Sequence, residues 1–242
     1  MDFERIEKVF KEYVLTYDWS CEKVKMKYYH TLEVANISHE VASAMGLSDE
    51  DKDLAKLIGY LHDIARFEQL KRVNSFNDKL LDHADLAIEI LFDEGLIRKF
   101  IQTDKYDSII RKAVRNHNKL KILDEVDSKE EMFVKLIRDC DKIDILRIRA
   151  EDKKDVIIET PCPEVINAFR EERSVDLSKR ASKADGTYCV IAFVFDINYK
   201  ESLKCLNEKG YYHKFISGIE VSSEQKELFD RLSGQALKKL EV

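Results

Sequence analysis

Residues 48–63 read SDEDKDLAKLIGYLHD. Ser48, with Asp51 three positions on, is a capping-box-like helix start. Leu54, Leu57, Ile58 and Leu61 then recur at the spacing of one helical face. That apolar stripe runs directly into His62 and Asp63, so two polar side chains arrive where a core is being built.

The same construction recurs on both sides. From Glu22 to Met45 the stripe is His30, Val34, Ile37 and Val41, stopped by Gly46. The polar stretch Val73 to Asp78 reads as a loop. The pattern predicts a helix from Asp78 to Glu94, ended by Gly95, with His83, Ala87 and Ile90 on one face. Ile110, Ala113, Val114 and His117 share the face of a further helix. Ser128 with Glu131 is the expected cap of a long helix carrying Val134, Ile137, Asp141, Ile145 and Ile148.

Composition agrees with a helical chain. The 242 residues include only 7 glycines and 2 prolines, against average usage of about 7% and 5%. That is too few turn-making residues for a sandwich, propeller or up-and-down barrel. No G-x-G-x-x-G or G-x-x-x-x-G-K pattern occurs, which excludes a dinucleotide fingerprint and a Walker-type phosphate cradle. With 44% hydrophobic residues the chain can bury a substantial core. Its 41 basic and 47 acidic residues nearly balance, so neither a nucleic-acid partner nor a membrane surface is expected. The start, MDFERIEKVF, lacks a secretory signal, and the longest apolar run, Tyr188 to Phe195, is too short to span a bilayer. Five scattered cysteines without a C-x-x-C pair read as reduced thiols. A cytoplasmic protein is the expectation, and a homo-oligomer is compatible with it.

Both prolines fall in Thr160 to Pro163, which sets the expected boundary between a helical core at 1–160 and a helical carboxy-terminal lobe at 161–242, unless the two form one continuous domain. Pro163 is expected to open a helix through Arg173. Ser174 to Gly186 reads as a basic loop and Thr187 to Asn207 as a buried helix. Val190 to Phe195 suits a strand equally well by period, but nothing nearby offers a strand partner. Ser222 with Gln225 starts a last helix.

Four of the 6 histidines, His30, His62, His83 and His117, sit in buried-looking stripes, and Asp63 and Asp141 join them. His39 lies nine residues from His30, which at about 100° per residue places it on the opposite face. His213 is outside the pattern. A lone core histidine is ordinarily satisfied by one hydrogen bond. Six such groups would each need a separate partner, and leaving them unpaired would cost about 1 to 3 kcal/mol apiece. One shared metal site satisfies them together, and imidazole with carboxylate suits first-row divalent ions.

Tyr60 to Phe67 (YLHDIARF), Asp82 to Ala84 (DHA), Asn116 to Asn118 (NHN) and Arg138 to Ile143 (RDCDKI), with His30 upstream, resemble the HD-domain superfamily of metal-dependent phosphohydrolases over about residues 20 to 150. The resemblance implies an all-α HD-domain helical bundle with a helical carboxy-terminal elaboration. It implies His30, His62, Asp63 and Asp141 as ligands of a first metal, and His83 and His117 as ligands of a second that Asp63 would bridge. Some relatives bind one ion and use the later histidines around the substrate. The ligand set accepts manganese, iron, cobalt, nickel, zinc or magnesium.

The implied activity is hydrolysis, by a metal-activated hydroxide, of a phosphomonoester, phosphodiester or phosphoanhydride in a nucleotide or small phosphorylated metabolite. Asp63, Lys142 and Arg66 are the catalytic candidates. Lys142 and Arg66 would hold phosphate oxygens, and Arg66 is equally suited to pair with a carboxylate. Asp82, Asp139 and Asp144 either orient ligands or are solvated. Lys179, Arg180 and Lys183, with Arg173, would grip an anionic substrate or form a solvated basic loop. Phe193, Phe195, Tyr199, Tyr211 and Tyr212 would stack a nucleobase or belong to the core. The alternatives are an HD-fold di-iron oxygenase and a non-enzymatic metal- or nucleotide-sensing regulator. No Gly-Tyr-Pro sequence occurs, which argues against cyclic-dinucleotide hydrolysis of the HD-GYP type.

Overall fold

The apolar stripes close into helices in the computed structural model, which describes residues 1–151 and 155–241. The protein is all-α, with 68% of residues helical. Among the described residues the strands are two short ones, β1 (Val156–Ile157) and β2 (Glu220–Val221), paired in parallel with Val156 opposite Glu220. No helix among the described residues is long and apolar enough to cross a membrane. None of the five cysteines is in a disulfide.

The chain divides into two compact units, Met1–Asp141 and Lys142–Val242. The first holds α1 (Phe3–Val14), α2 (Glu22–Ala44), α3 (Asp49–Leu61), α4 (Arg66–Val73), α5 (His83–Ile88), α6 (Ile97–Phe100), α7 (Asp107–Asn116) and the first part of α8 (Ser128–Glu151). The division thus falls inside α8, ahead of the proline pair, and Thr160 to Pro163 is an internal connection of the second unit.

The centre of the first unit is the α2–α3 pair. Val34, Val41, Leu54, Leu57 and Leu61 are wholly buried. Gly59 is there for space, because a Cβ on it would lie 2.5 Å from the Ala35 Cα. The two backbones therefore touch, and the rings of His30 on α2 and His62 at the end of α3 lie 5.4 Å apart between centroids. Phe10 of α1 closes the other side, with ring centroids 5.5 Å from Tyr28, 5.7 Å from Tyr60 and 6.1 Å from Phe67.

The helix starts partly follow the sequence reading. Ser48 caps α3, accepting from the Asp51 N–H. The third predicted helix begins at His83, not Asp78, because Asp82 accepts from the Ala84 and Asp85 N–H groups and so fixes the start. Beyond α5 the turn widens to a π-helical turn at Glu89–Asp93 before Gly95, whose φ is +77°. The α8 cap is one residue earlier than expected. Asp127 accepts from the Glu130 N–H at 2.9 Å, and Glu130 accepts from the Asp127 N–H at 2.9 Å, a reciprocal capping box.

In the second unit, α9 (Pro163–Arg170), α10 (Lys183–Ile191), α11 (Lys200–Lys209), α12 (Tyr211–Gly218) and α13 (Lys226–Lys238) follow the end of α8. Gly186 is inside α10, not in a loop, because a Ser182–Asp185 capping box starts the helix just before it. The expected helix Thr187 to Asn207 is broken, with a 3-10 turn at Ala192–Asp196 and a restart after Tyr199. Val190 to Phe195 is accordingly helical and not a strand. Of the proposed stacking aromatics, Tyr212 is core, its hydroxyl donating to the Ile191 carbonyl at 2.6 Å. Phe195 meets Phe169 edge to face at 5.4 Å.

Two stability predictions follow from these contacts. Gly59→Ala is expected to cost about 1 to 3 kcal/mol in urea denaturation, because backbone at the α2–α3 contact must move; an unchanged unfolding midpoint would contradict the close approach. Lys112 first, then Ser108 and the Asp127 N–H, lower the Glu130 carboxyl from 4.5 to about 2. A carboxyl depressed on folding stabilises fully above its unfolded value and stops doing so as pH falls through its folded one. Glu130→Gln should therefore be less stable than wild type at neutral pH, with a deficit that shrinks between about 4.5 and about 2; a deficit independent of pH would contradict this.

Candidate metal centre

Each expected ligand is placed by a helix or a helix end of the first unit. His30 lies within α2 and Asp141 within α8, His62 and His117 are the residues just past α3 and α7, and His83 opens α5. Asp63 occupies the turn between α3 and α4. His30, His62 and His83 have no exposed surface, and Asp63 is 2% exposed.

The side chains form two groups capable of holding a metal ion, His30–His62–Asp141 and Asp63–His83–His117, each with its ligand atoms within 4.8 Å of one another. In the first, the Asp141 Oδ1 lies 3.1 Å from the His30 Nε2 and 3.7 Å from the His62 Nε2. In the second, the Asp63 Oδ1 lies 3.1 Å from the His83 Nε2 and 3.6 Å from the His117 Nε2. The other Asp63 oxygen, Oδ2, faces the first group, 3.5 Å from the His30 Nε2 and 3.6 Å from the His62 Nε2. Asp63 therefore addresses both groups, one oxygen to each.

Hydrogen bonds on the far side of three rings fix their tautomers. The Nδ1–H of His62 donates to the Gly59 carbonyl at 2.7 Å, that of His117 to the Val114 carbonyl at 2.6 Å, and that of His83 to the Asp78 Oδ1 at 2.7 Å. Each Nε2 is left with an inward lone pair. Those of His83 and His117 face each other at 2.9 Å, and the buried Nε2 of His62 has no hydrogen-bond partner among the described residues. Lone pairs so converged repel unless a cation lies among them, so the donor set fits divalent ions.

Electrostatics favour the ligating forms. Burial, reinforced by His83 and His62, pushes His117 down from 6.5 to about 4, leaving it a neutral acceptor near pH 7. Burial works against ionisation of Asp63, but Lys27, His62 and Arg66 override it and hold the carboxyl well below the usual range. At Asp141 burial is likewise outweighed, by the adjacent His30 and His62 side chains, and the carboxyl is held low. Asp78 is also held low against burial, chiefly by His83 and Arg66.

Arg66 is paired with carboxylates in the structure. Its guanidinium lies 3.4 Å from Asp63 and 2.9 Å from Asp78, and donates to Gln69 and to the Phe76 carbonyl. It thereby ties the Asp63 turn to the loop before α5. Arg138 donates to the carbonyls of Asn116, at 3.1 Å, and Lys119, which fastens the end of α7 beside His117. Asn118 donates to Asp82 and Asp78. Asp139 is fully buried rather than solvated, and Asp82 caps α5. His39 and His213 are exposed.

The other expected substrate contacts belong to the second unit. Lys142 is buried with its ammonium 2.9 Å from Asp196. Asp144 is buried against Arg147, and Lys179 lies near Glu164 and Asp176, at 3.7 and 3.8 Å. Arg173 pairs with Glu164 and Glu171. Arg180 and Lys183 line a cavity of about 930 Å³ with Arg149, Asp155, Thr187 and Phe193.

Sequence reasoning missed Lys27, whose ammonium lies 2.6 Å from the Asp63 Oδ2, and Asp78, which orients His83. The available signal for Lys27 was its place three residues before His30, one turn away on the same face. Asp78→Asn removes the anionic partner of His83 and is expected to weaken divalent-metal binding about 10- to 100-fold. Calorimetric titration with Mn²⁺ checks this, and unchanged affinity would contradict the role of Asp78.

Residues 28–146 match the family model of the HD domain. No curated protein and no solved structure matches the chain. All six ligand candidates fall within the matched stretch, and HD domains bind divalent metals. With its helical fold, its paired His62–Asp63 and its converging histidines, the chain carries an HD domain at residues 28–146.

Proposed function

We propose that the protein is a phosphohydrolase using two divalent ions to cleave a phosphoester or phosphoanhydride in a nucleotide or another small phosphorylated metabolite. The observation that carries this reading is the division of Asp63 between the two ligand groups, Oδ2 toward one and Oδ1 toward the other. A carboxylate so placed suits a paired-ion centre, the kind that assists in-line displacement at phosphorus.

When bound, divalent ions supply Lewis acidity and make hydroxide available near neutral pH. The residues set the charge and the order of the site. Asp63 and Asp141 contribute about −2 against +4, and ligating imidazoles are neutral, so the centre keeps about +2 for an anionic substrate. Hydrogen bonds from His62, His83 and His117 to fixed acceptors hold the rings in place before substrate arrives. Lys27 and Arg66 keep Asp63 ionised, so it ligates without first losing a proton.

Elemental analysis of the purified protein, followed by a panel of phosphomonoesters, phosphodiesters and nucleotides under several metals, tests the reading. Wild type is expected to release phosphate or a phosphorylated product, and Asp63→Ala to lose at least a hundredfold in rate and bind fewer ions while keeping its helical circular dichroism. Full activity in Asp63→Ala would overturn the proposal. So would a metal-loaded wild type that cleaves nothing and instead consumes oxygen, the outcome an oxygenase would give.

A further inference from the structure

We propose that Lys27 is a catalytic residue whose ammonium contacts the phosphoryl oxygens of the substrate, an inference that rests on the phosphohydrolase reading above. Lys27 lies one residue ahead of the stretch matched by the HD-domain model. On α2 it shares the face of His30, one turn earlier. Its side chain is 12% exposed, and the Nζ lies 2.6 Å from the Asp63 Oδ2, the oxygen turned to the His30–His62–Asp141 group. The ammonium also sits 5.8 Å from the centroid of the Phe76 ring, which limits its swing.

Of the other cations around the centre, Arg66 shares its guanidinium among several acceptors and two lysines pair with carboxylates outside the ligand set. Arg66 is spread over Asp63, Asp78, Gln69 and the Phe76 carbonyl. Lys119 binds Asp82 and Asp85, and Lys112 binds Glu130. Lys27 has one carboxylate partner, Asp63, and an ammonium carries three donors. Two N–H groups are thus left for other acceptors beside the Asp63 ligand oxygen. Charge-assisted bonds of this kind grow stronger as negative charge gathers on the phosphoryl oxygens in the transition state.

A purely structural lysine, present only to neutralise Asp63, makes different predictions. The test compares wild type, K27M, K27Q and K27R, all loaded with Mn²⁺, for Mn content, calorimetric affinity for inorganic phosphate, and kcat and KM on the best ester of the wild-type panel. The expected result is unchanged Mn content in K27M with at least a tenfold loss of phosphate affinity and about a hundredfold loss of kcat, and partial recovery of both in K27R. Should K27M fail to fold, K27Q is read by the same criteria. Phosphate affinity and kcat at wild-type levels in K27M or K27Q would overturn the proposal. Loss of Mn that added Mn²⁺ restores together with full activity would overturn it too, since Lys27 would then act only on Asp63. A wild type that cleaves no phosphate compound defeats the hydrolase reading itself and this inference with it, whereas an active wild type with an equally active K27M defeats the role of Lys27 alone.

Discussion

Asp63 carries the constraint on which the first unit is built. A carboxylate only 2% exposed is costly unless its charge is met, and here Lys27, Arg66 and four imidazoles surround it. Replacing that arrangement with apolar packing would be easier on stability, so its presence speaks for a use. The helices are arranged accordingly. The contact between Gly59 and Ala35 lets α2 and α3 meet backbone to backbone, and the Nε2 atoms of His30 and His62 lie 3.1 and 3.7 Å from Asp141 Oδ1.

Helix termination and ligand orientation are the same event at two places. His62 and His117 each follow the last residue of a helix, and each donates its Nδ1–H to the carbonyl three residues back, Gly59 and Val114. Those carbonyls belong to the last helical turn, where acceptors lack an intrahelical donor. One hydrogen bond therefore helps end the helix, fixes the tautomer and aims the Nε2 inward. His83 achieves the same result from the opposite end, as the first residue of α5, with Asp82 capping the helix and Asp78 holding the ring. The ligands are consequently as rigid as the helix ends that bear them.

This is also why the centre was legible in the sequence. Each ligand interrupts an apolar stripe at helical spacing, and a polar side chain in such a position must have a partner. Lys27 gave no comparable signal, because a lysine on a helix ordinarily extends its stem along the surface and keeps its head in water. The pairing of Lys142 was hidden for the complementary reason. Its neighbour in sequence is Asp141, but its partner is Asp196, far along the chain. The start of α8 was displaced by one residue because Ser128 with Glu131 and Asp127 with Glu130 both fit the capping pattern, and Lys112 and Ser108 of α7 select Glu130. Strands of two residues leave no periodicity to read, and the apolar run through Phe195 hid the break between α10 and α11.

In the proposed phosphohydrolase two cations would share Asp63. Electron paramagnetic resonance of the protein loaded with Mn²⁺ addresses this directly, because ions about 3.5 to 4 Å apart across a bridging carboxylate are magnetically coupled. The expected spectrum is that of an exchange-coupled pair, reached only as the second equivalent is added and absent in Asp63→Ala. A spectrum of isolated, uncoupled Mn²⁺ at every loading, or no bound Mn²⁺ at all, would contradict a paired centre on Asp63.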